Sequence, residues 1–328
     1  MTSVQTVIVE QDDADIRLDR WFKRYHPSIN HGLLQKWLRT GQVRIDGKRA
    51  KANARLKAGQ IIRVPPGATY ADDEQKVVPR QANVSDADRT ALIESILYQD
   101  EDVIAINKPA GLAVQGGSKT LHHLDAMLDH LQFDAKERPR LVHRLDKDTS
   151  GVLMLARTRS ASTYLSQLFS SRSLQKTYWA LVVGVPKNHT GLIQAPLLKG
   201  EGRGGEKMIV NLEEGKPAET HYRVIDTVGQ KVAWLELEPK TGRTHQLRVH
   251  CDFMGIPILG DGKYGGSVAY LNGVPNTRKI HLHAYSISLA LPNGILKRIE
   301  APLSSLMVET WKHFGFDVGD SRGSFDKS

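Results

Sequence analysis

The residue in this chain best placed to do chemistry is Asp146. It sits in 141–151, LVHRLDKDTSG, two places after Arg144 and next to Lys147. The polar string from Lys147 to Gly151 is too turn-prone for a core segment, and an apolar run, 152–156, follows at once, so the stretch reads as a loop on the lip of a sheet. Cationic neighbours favour the charged form of a carboxylate. An ionised aspartate suits the role of nucleophile or electrostatic stabiliser and suits that of a general acid poorly. For any single Asp of this kind, a solvated surface turn is the plain alternative.

A second group lies in 241–264, TGRTHQLRVHCDFMGIPILGDGKY. Thr241 and Gly242 turn the chain, and Thr244 is expected to cap a helix running through Val249 or beyond. Leu247 and Arg248 then present one apolar and one cationic contact side by side. A guanidinium there can grip a carboxylate through a forked pair of hydrogen bonds. Arg243 and His245 are candidate phosphate contacts. Tyr178 opens an apolar strand, where the ordinary expectation is a core tyrosine with its hydroxyl at the sheet edge. His122 and His123 beside Asp125 form a metal-like fragment without a third close ligand, so a polar helix start is expected and no metal. The Gly-rich segment 200–205 lacks the Gly-Lys-Ser/Thr of a phosphate loop and reads as a mobile substrate-side loop.

Three stretches, HRLDKDTSG at 143–151, QKTYWALVVG at 175–184 and the 241–264 segment, resemble in type and order the signature of the pseudouridine synthases that modify ribosomal RNA, the group that includes the large-subunit synthases A, C and D. The resemblance runs from about Ile16 to Phe314. It implies Asp146, Tyr178 and Arg248 as the catalytic set, with Arg248 against Asp146 and Tyr178 stacking on the uracil. It places Leu247 in the wall of the base pocket and Arg144 in the gap left by a flipped nucleotide. The implied reaction turns uridine into pseudouridine without a cofactor. Asp146 is indispensable whether it attacks the sugar, takes its 2′ proton or adds to the base, and the sequence leaves these open. AVQGGS at 113–118 and QAPLLK at 194–199 extend the likeness toward enzymes of large-subunit ribosomal RNA, with transfer RNA as the second substrate class. Two readings from other classes compete. Asp146-Lys147-Asp148 and Gly260-Asp261-Gly262 contain the DxD and GDG of Mg-dependent aspartyl-phosphate phosphatases, although Gly265 stands where that pattern needs its second acid. A non-catalytic RNA-binding assembly factor would account for the basic front of the chain and leave the Asp146 loop unexplained.

The elements that must position these residues fall into two expected domains, because 328 residues exceed what one compact core usually holds. The formal charge is +9, but between Ile16 and Arg63 thirteen Lys or Arg face two acids, so the rest of the chain is slightly acidic. All of the positive excess belongs to one small front module, which favours an anionic partner. Its helices 16–25 and 30–40 are amphipathic, and Asp46-Gly47 makes a hairpin turn. The module resembles the alpha-L RNA-binding module named for ribosomal small-subunit protein four. Arg17, Arg20, Lys23, Arg24, Lys36, Arg39, Arg44, Lys48 and Arg49 are its candidate RNA contacts; a self-association module is the rival reading, weakened by so one-sided a charge.

From Pro65 to about Asp88 the apolar periodicity lapses. Strands then open at 93–98 and 103–106, and 121–131 and 160–169 read as helices. Beyond Tyr178 strands dominate, VAWLELE at 232–238 alternating as if one face were wet, and 303–314 closes the chain as a helix. The expected division is a basic domain at 1–75, a linker at 76–92, a catalytic domain at 93–316 and a frayed tail at 317–328. The catalytic domain is expected to be α+β, with a mixed, mainly antiparallel sheet. The single cysteine, Cys251, excludes an internal disulfide framework and fits a reducing cytoplasm. No secretory h-region and no run of about 18 apolar residues is present, so a soluble, unexported monomer acting on RNA away from membranes is the expectation.

Overall fold

The computed structural model describes residues 4–66, 84–116, 122–171, 173–202 and 205–318. Contacts divide the chain into two units, 1–81 and 82–328. Residues 76–83 of the expected linker and the tail from 319 onward lie outside the described residues.

The first unit is built from β1 (Gln5–Ile8), α1 (Leu18–Tyr25), α2 (His31–Arg39), β2 (Arg44–Ile45), β3 (Lys48–Arg49) and β4 (Ile61–Val64). The apolar stripes of the two helices, Leu18, Trp21 and Phe22 on one and Leu34, Trp37 and Leu38 on the other, close over Val43, Ile45, Ile62 and Val64. The Asn30 side chain caps α2 by accepting the Leu33 amide at 2.9 Å. Asp46 and Gly47 both take positive φ, as a two-residue turn between right-twisted strands requires. The strand order is β1-β4-β2-β3. β1 precedes the stretch whose pattern is legible in the sequence. It is too short and too exposed to carry a periodic signal and is fixed by pairing with β4.

The second unit opens with α3 (Asp86–Glu94), then β5 (Ile96–Gln99) and β6 (Val103–Lys108). Helix α3 lies where linker and then strand are expected from the sequence. Ser85 and Asp88 form a reciprocal capping box that starts it, and Ile93 belongs to the helix. The short α4 (Leu124–Met127) continues as a 3-10 turn to Leu131, and His123 caps α4 by accepting the Ala126 amide. β7 (Arg140–Leu141), β8 (Ser150–Ala156), α5 (Arg159–Ser171), β9 (Gln175–Val183) and β10 (Thr190–Gln194) follow. The hairpin β11 (Leu197–Gly202) and β12 (Gly205–Val210) stands apart from the main sheet. Residues 203 and 204, the tip of the expected loop, lie outside the described residues. β13 (Glu219–Val228), β14 (Val232–Pro239), α6 (Gln246–Phe253), β15 (Leu282–Ala290), β16 (Leu296–Glu300) and α7 (Ser305–His313) complete the unit.

The main sheet runs β10-β13-β14-β9-β15-β8-β6-β5, with β16 on β15 and β7 on β8. Among the described pairings β8 with β15 is the parallel one, so the sheet is mixed and mainly antiparallel. The two strands approach so closely there that a Cβ on Gly151, which sits at φ +111°, would run into the Ala284 backbone. That is the physical reason for a glycine after the Asp146 loop. β14 departs from the expected wet face: all eight residues are buried. Ala233, Leu235 and Leu237 pack with Leu247 and Cys251 of α6, while Trp234 meets Trp179, Trp311 and Phe316 on the opposite face. Glu236 and Glu238 stay buried because Arg223 pairs with the first, and Gln175 and Lys240 with the second.

Candidate active site

The loop between β7 and β8 presents Asp146 by alternation: Arg144 is exposed, Leu145 is buried, and Asp146 is turned part-way to solvent at 28% side-chain exposure. Two devices hold it. The buried ammonium of Lys108, at the end of β6, donates to the carbonyls of Pro109 (2.8 Å), Leu112 (2.9 Å) and Lys147 (3.1 Å), and the Gly111 amide also reaches the Lys147 carbonyl at 2.9 Å. Burial pulls the Lys108 pKa down to about 8, against the opposing charges of Asp148 and Asp146. On the other flank His143 stacks on Phe169 with ring centroids 4.1 Å apart, and its Nε2 accepts the Met154 amide at 2.8 Å. Burial takes the His143 pKa to about 3, so the imidazole is neutral and its proton is on Nδ1. Lys108 and His143 carry no signal in the sequence beyond their neighbourhood, because their partners are backbone groups.

A cleft of about 480 Å³ opens over this loop. Its lining brings together Arg144, Asp146, Tyr178, Arg243, His245, Leu247 and Arg248, all of the catalytic-unit residues singled out in the sequence. Tyr178, near the start of β9, faces it with a phenol held above its ordinary pKa by burial and by the charge of Asp146. Leu247 is 6% exposed, between the cleft and the core formed with Leu237 and Leu282.

Arg248 makes the expected fork, but to a different carboxylate. Its Nε and Nη2 each donate to Asp261 at 2.7 Å, and the guanidinium lies 5.0 Å from the Tyr264 ring centre. Both partners are almost wholly buried, and a buried guanidinium is held where a buried carboxylate completes its hydrogen bonds. Burial opposes its charge, yet the bonds and charge of Asp261, with the charge of Asp146, leave its pKa above the ordinary value. The direct partner of Arg248 is thus Asp261, while Asp146 is near enough for the two charges to interact. Asp261, thirteen residues away along the chain, reads in the sequence only as a phosphatase acid; committed to Arg248, it does not serve that chemistry.

Thr244 does not cap α6. The N-cap position is His245, in the left-handed region at φ +54°, without a capping side-chain bond. The turn before it is held instead by Gln246, whose carbonyl oxygen accepts from the Thr241 hydroxyl (2.7 Å) and the Arg243 amide (3.1 Å). Its amide nitrogen donates to the Glu219 carbonyl and the Thr220 hydroxyl, both at 2.9 Å. His245 Nδ1 meets the Tyr264 hydroxyl at 2.7 Å and its Nε2 lies 3.9 Å from Asp146 Oδ2. The Arg243 side chain bonds the Pro217 carbonyl at 3.1 Å. Among the described residues, no group of three or more His, Cys, Asp or Glu could hold a metal ion.

In the first unit, the candidate RNA contacts divide. Arg17 pairs with Asp19 and Arg24 with Asp13, and Arg44 spends its guanidinium on the carbonyls of Gly41 and Gly47. Arg20, Lys23, Lys36, Arg39, Lys48 and Arg49 are exposed with no carboxylate against them among the described residues. No helix of the described residues is long and apolar enough to cross a membrane.

Residues 102–253, which carry most of this cleft, match the RNA pseudouridylate synthase family. The chain belongs to that family; it is a pseudouridine synthase, an isomerase that acts on RNA. The ribosomal large subunit pseudouridine synthase C of Salmonella typhimurium (strain LT2) is 35% identical to it over 309 residues, covering 93% of this chain and 95% of that protein. The protein of the same name from Escherichia coli (strain K12) is 36% identical over 305 residues, 92% and 93% of the two chains. Of solved structures, human RNA pseudouridylate synthase domain containing 4 is similar with a TM-score of 0.58 at 30% identity, over 69% of this chain and 95% of that one. The α+β fold with a mixed sheet is therefore that of the family, and the phosphatase and non-catalytic readings fall.

Proposed function

We propose that this enzyme isomerises uridines in large-subunit ribosomal RNA, with Asp146 as the group that starts the reaction. The observation that carries the reading is the gathering of Asp146, Tyr178, Leu247 and Arg144 around one cleft from separate segments of the chain. The names of relatives that align over more than nine-tenths of both chains support the ribosomal substrate.

The chemistry breaks the N1–C1′ bond, turns the uracil, and joins C5 to C1′; the C5 proton leaves and N1 gains one. No cofactor has a part in it. Asp146, at the mouth of the cleft, meets the sugar end of a nucleotide whose base lies between the Tyr178 ring and Leu247. Burial and the charge of Asp146 keep the Tyr178 phenol protonated, so its part is to stack on the base, and the departing C5 proton passes to water. Arg144, exposed on the lip, fills the helix gap left by the flipped nucleotide. Arg248, locked to Asp261, supplies positive potential beside the Asp146 carboxylate.

The first unit serves as an alpha-L RNA-binding domain joined by a linker to the catalytic unit. Its exposed cations Arg20, Lys23, Lys36, Arg39, Lys48 and Arg49 take phosphates, while Arg17, Arg24 and Arg44 are better described as structural. The enzyme works as a cytoplasmic monomer. Carbodiimide mapping of pseudouridine in total RNA from cells lacking the gene, complemented with either wild type or Asp146→Asn, tests the whole reading. The expected result is large-subunit marks restored by wild type alone. Missing marks confined to transfer RNA would refute the ribosomal assignment while leaving the reaction intact.

A further inference from the structure

His245 sits in the left-handed region at φ +54°, uncommon for a residue with a side chain although His, like Asn and Asp, is enriched there, and it does so without capping the helix it precedes. What the unusual backbone achieves is aim. One ring nitrogen meets the Tyr264 hydroxyl at 2.7 Å, and the other lies 3.9 Å from Asp146 Oδ2. The histidine is 20% exposed and the aspartate 28%, so both open on the same cleft. Tyr264 is 7% exposed, and its oxygen already accepts the backbone N–H of Met208 on β12. Burial, chiefly, holds its pKa up at about 12, so it keeps its proton at neutral pH. The buried phenolic proton needs an acceptor, and among the described residues the one recorded against the hydroxyl is His245 Nδ1, so the proton goes to it. A neutral imidazole that accepts at Nδ1 must carry its hydrogen on Nε2. That hydrogen points toward Asp146.

We infer that His245 and Tyr264 form a positioning pair for Asp146: Tyr264 fixes the tautomer and orientation of His245, and His245 Nε2–H steers the Oδ2 oxygen of the carboxylate, leaving the other oxygen for the substrate. This rests on the reading of Asp146 as the catalytic aspartate. At 3.9 Å the donor and acceptor are slightly beyond hydrogen-bond length; a shift of about 1 Å closes the contact, as catalytic hydrogen bonds commonly tighten in the complex with substrate.

The arrangement has a pH signature. The groups facing His245 are Asp146 on its loop, Arg248 on α6, and Asp261, Lys263 and Tyr264 on the segment after β-bridge residue Ile258. Burial lowers the imidazole pKa, Arg248 and Lys263 lower it further, and Asp146 and Asp261 oppose them, the balance falling below the ordinary 6.5. Above that pKa the ring is a neutral donor. As pH falls through it, Nδ1 is protonated, the Tyr264 hydrogen loses its acceptor, and the imidazolium holds Asp146 in an ion pair that withdraws it from substrate. The rate must therefore drop on the acid side, below about 6.5.

Kinetics of tritium release from C5-labelled uridine in RNA, from pH 5 to 8, test the pair. Asparagine tolerates the left-handed backbone and reaches no further than Nδ1, so His245→Asn keeps the fold and the Tyr264 contact but loses the hydrogen aimed at Asp146. Its kcat is expected to fall about 100-fold with KM unchanged, the cost of a misplacement near 1 Å. His245→Gln places an amide N–H near the Nε2 position and does not titrate; it is expected to recover at least tenfold over His245→Asn and to lack the acid limb. Tyr264→Phe, which frees the tautomer, is expected to lower kcat and move the acid limb without touching KM. Wild-type kcat and an unchanged acid limb in His245→Asn, with Asp146→Asn inactive, would overturn the pair alone. Turnover by Asp146→Asn would overturn the catalytic reading of Asp146 and the pair with it.

Discussion

Asp146 is legible as a candidate because its loop sets charge beside charge, whereas Tyr178 and Leu247 enter the candidate site through the resemblance of their motifs. What escapes a sequence reading are groups whose role depends on a partner far along the chain. Asp261 is the clearest, since nothing in GDGKY announces that its carboxylate will hold Arg248 in a buried fork. That fork gives a sharp expectation for stability. Removing one member of a buried ion pair strands the other charge, at a cost of about 3–5 kcal/mol. Arg248→Met is expected to lose that much in urea unfolding, and Arg248→Met with Asp261→Asn to recover more than half of it. A single-variant loss below about 1 kcal/mol would show that the pair is not what anchors the 260–264 segment.

At the scale of elements, periodicity predicts α1 and α2, whose apolar stripes do form the first core. It misleads at β14, where alternating residues are buried on both faces because α7 and its Trp311 cover the side expected to be wet. It fails at α3, whose start is written in a capping box and not in an apolar stripe. The exposed faces of α1 and α2 carry the expectation for RNA. If Arg20, Lys23, Lys36 and Arg39 contact phosphates, each removal flattens the slope of log affinity against log salt by roughly 0.7–0.9. The fourfold Ala variant is expected to weaken binding and reduce that slope by about 3, measured by filter binding across a salt series. An unchanged slope would assign the front unit another purpose.

Over the whole molecule, each unit has its own hydrophobic core: residues from 9 to 64 build one, and the clusters of the catalytic unit begin at Val84. The catalytic unit also holds histidines that burial keeps neutral. His281, bonded to Thr310, and His283, bonded to Ser150 and the Ala301 carbonyl, both have pKa values lowered to about 4. Unfolded, each titrates near 6.5, so between about 6.5 and 4 the unfolded chain binds protons that the folded one refuses, and stability falls as pH falls through that window. Each pKa lowered by one pH unit corresponds to roughly 1.4 kcal/mol, so the two histidines together are expected to remove several kcal/mol by about pH 4. Urea midpoints that stay level from about pH 7 to 4.5 would contradict it.

If one carboxylate performs the chemistry while binding comes from elsewhere, a paired measurement on Asp146→Asn shows it most directly. Tritium release from C5-labelled uridine is expected to fall by about 10,000-fold or more, with affinity for the same RNA within a few fold of wild type. Release at a rate comparable to wild type would contradict that assignment. So would loss of activity fully explained by loss of binding.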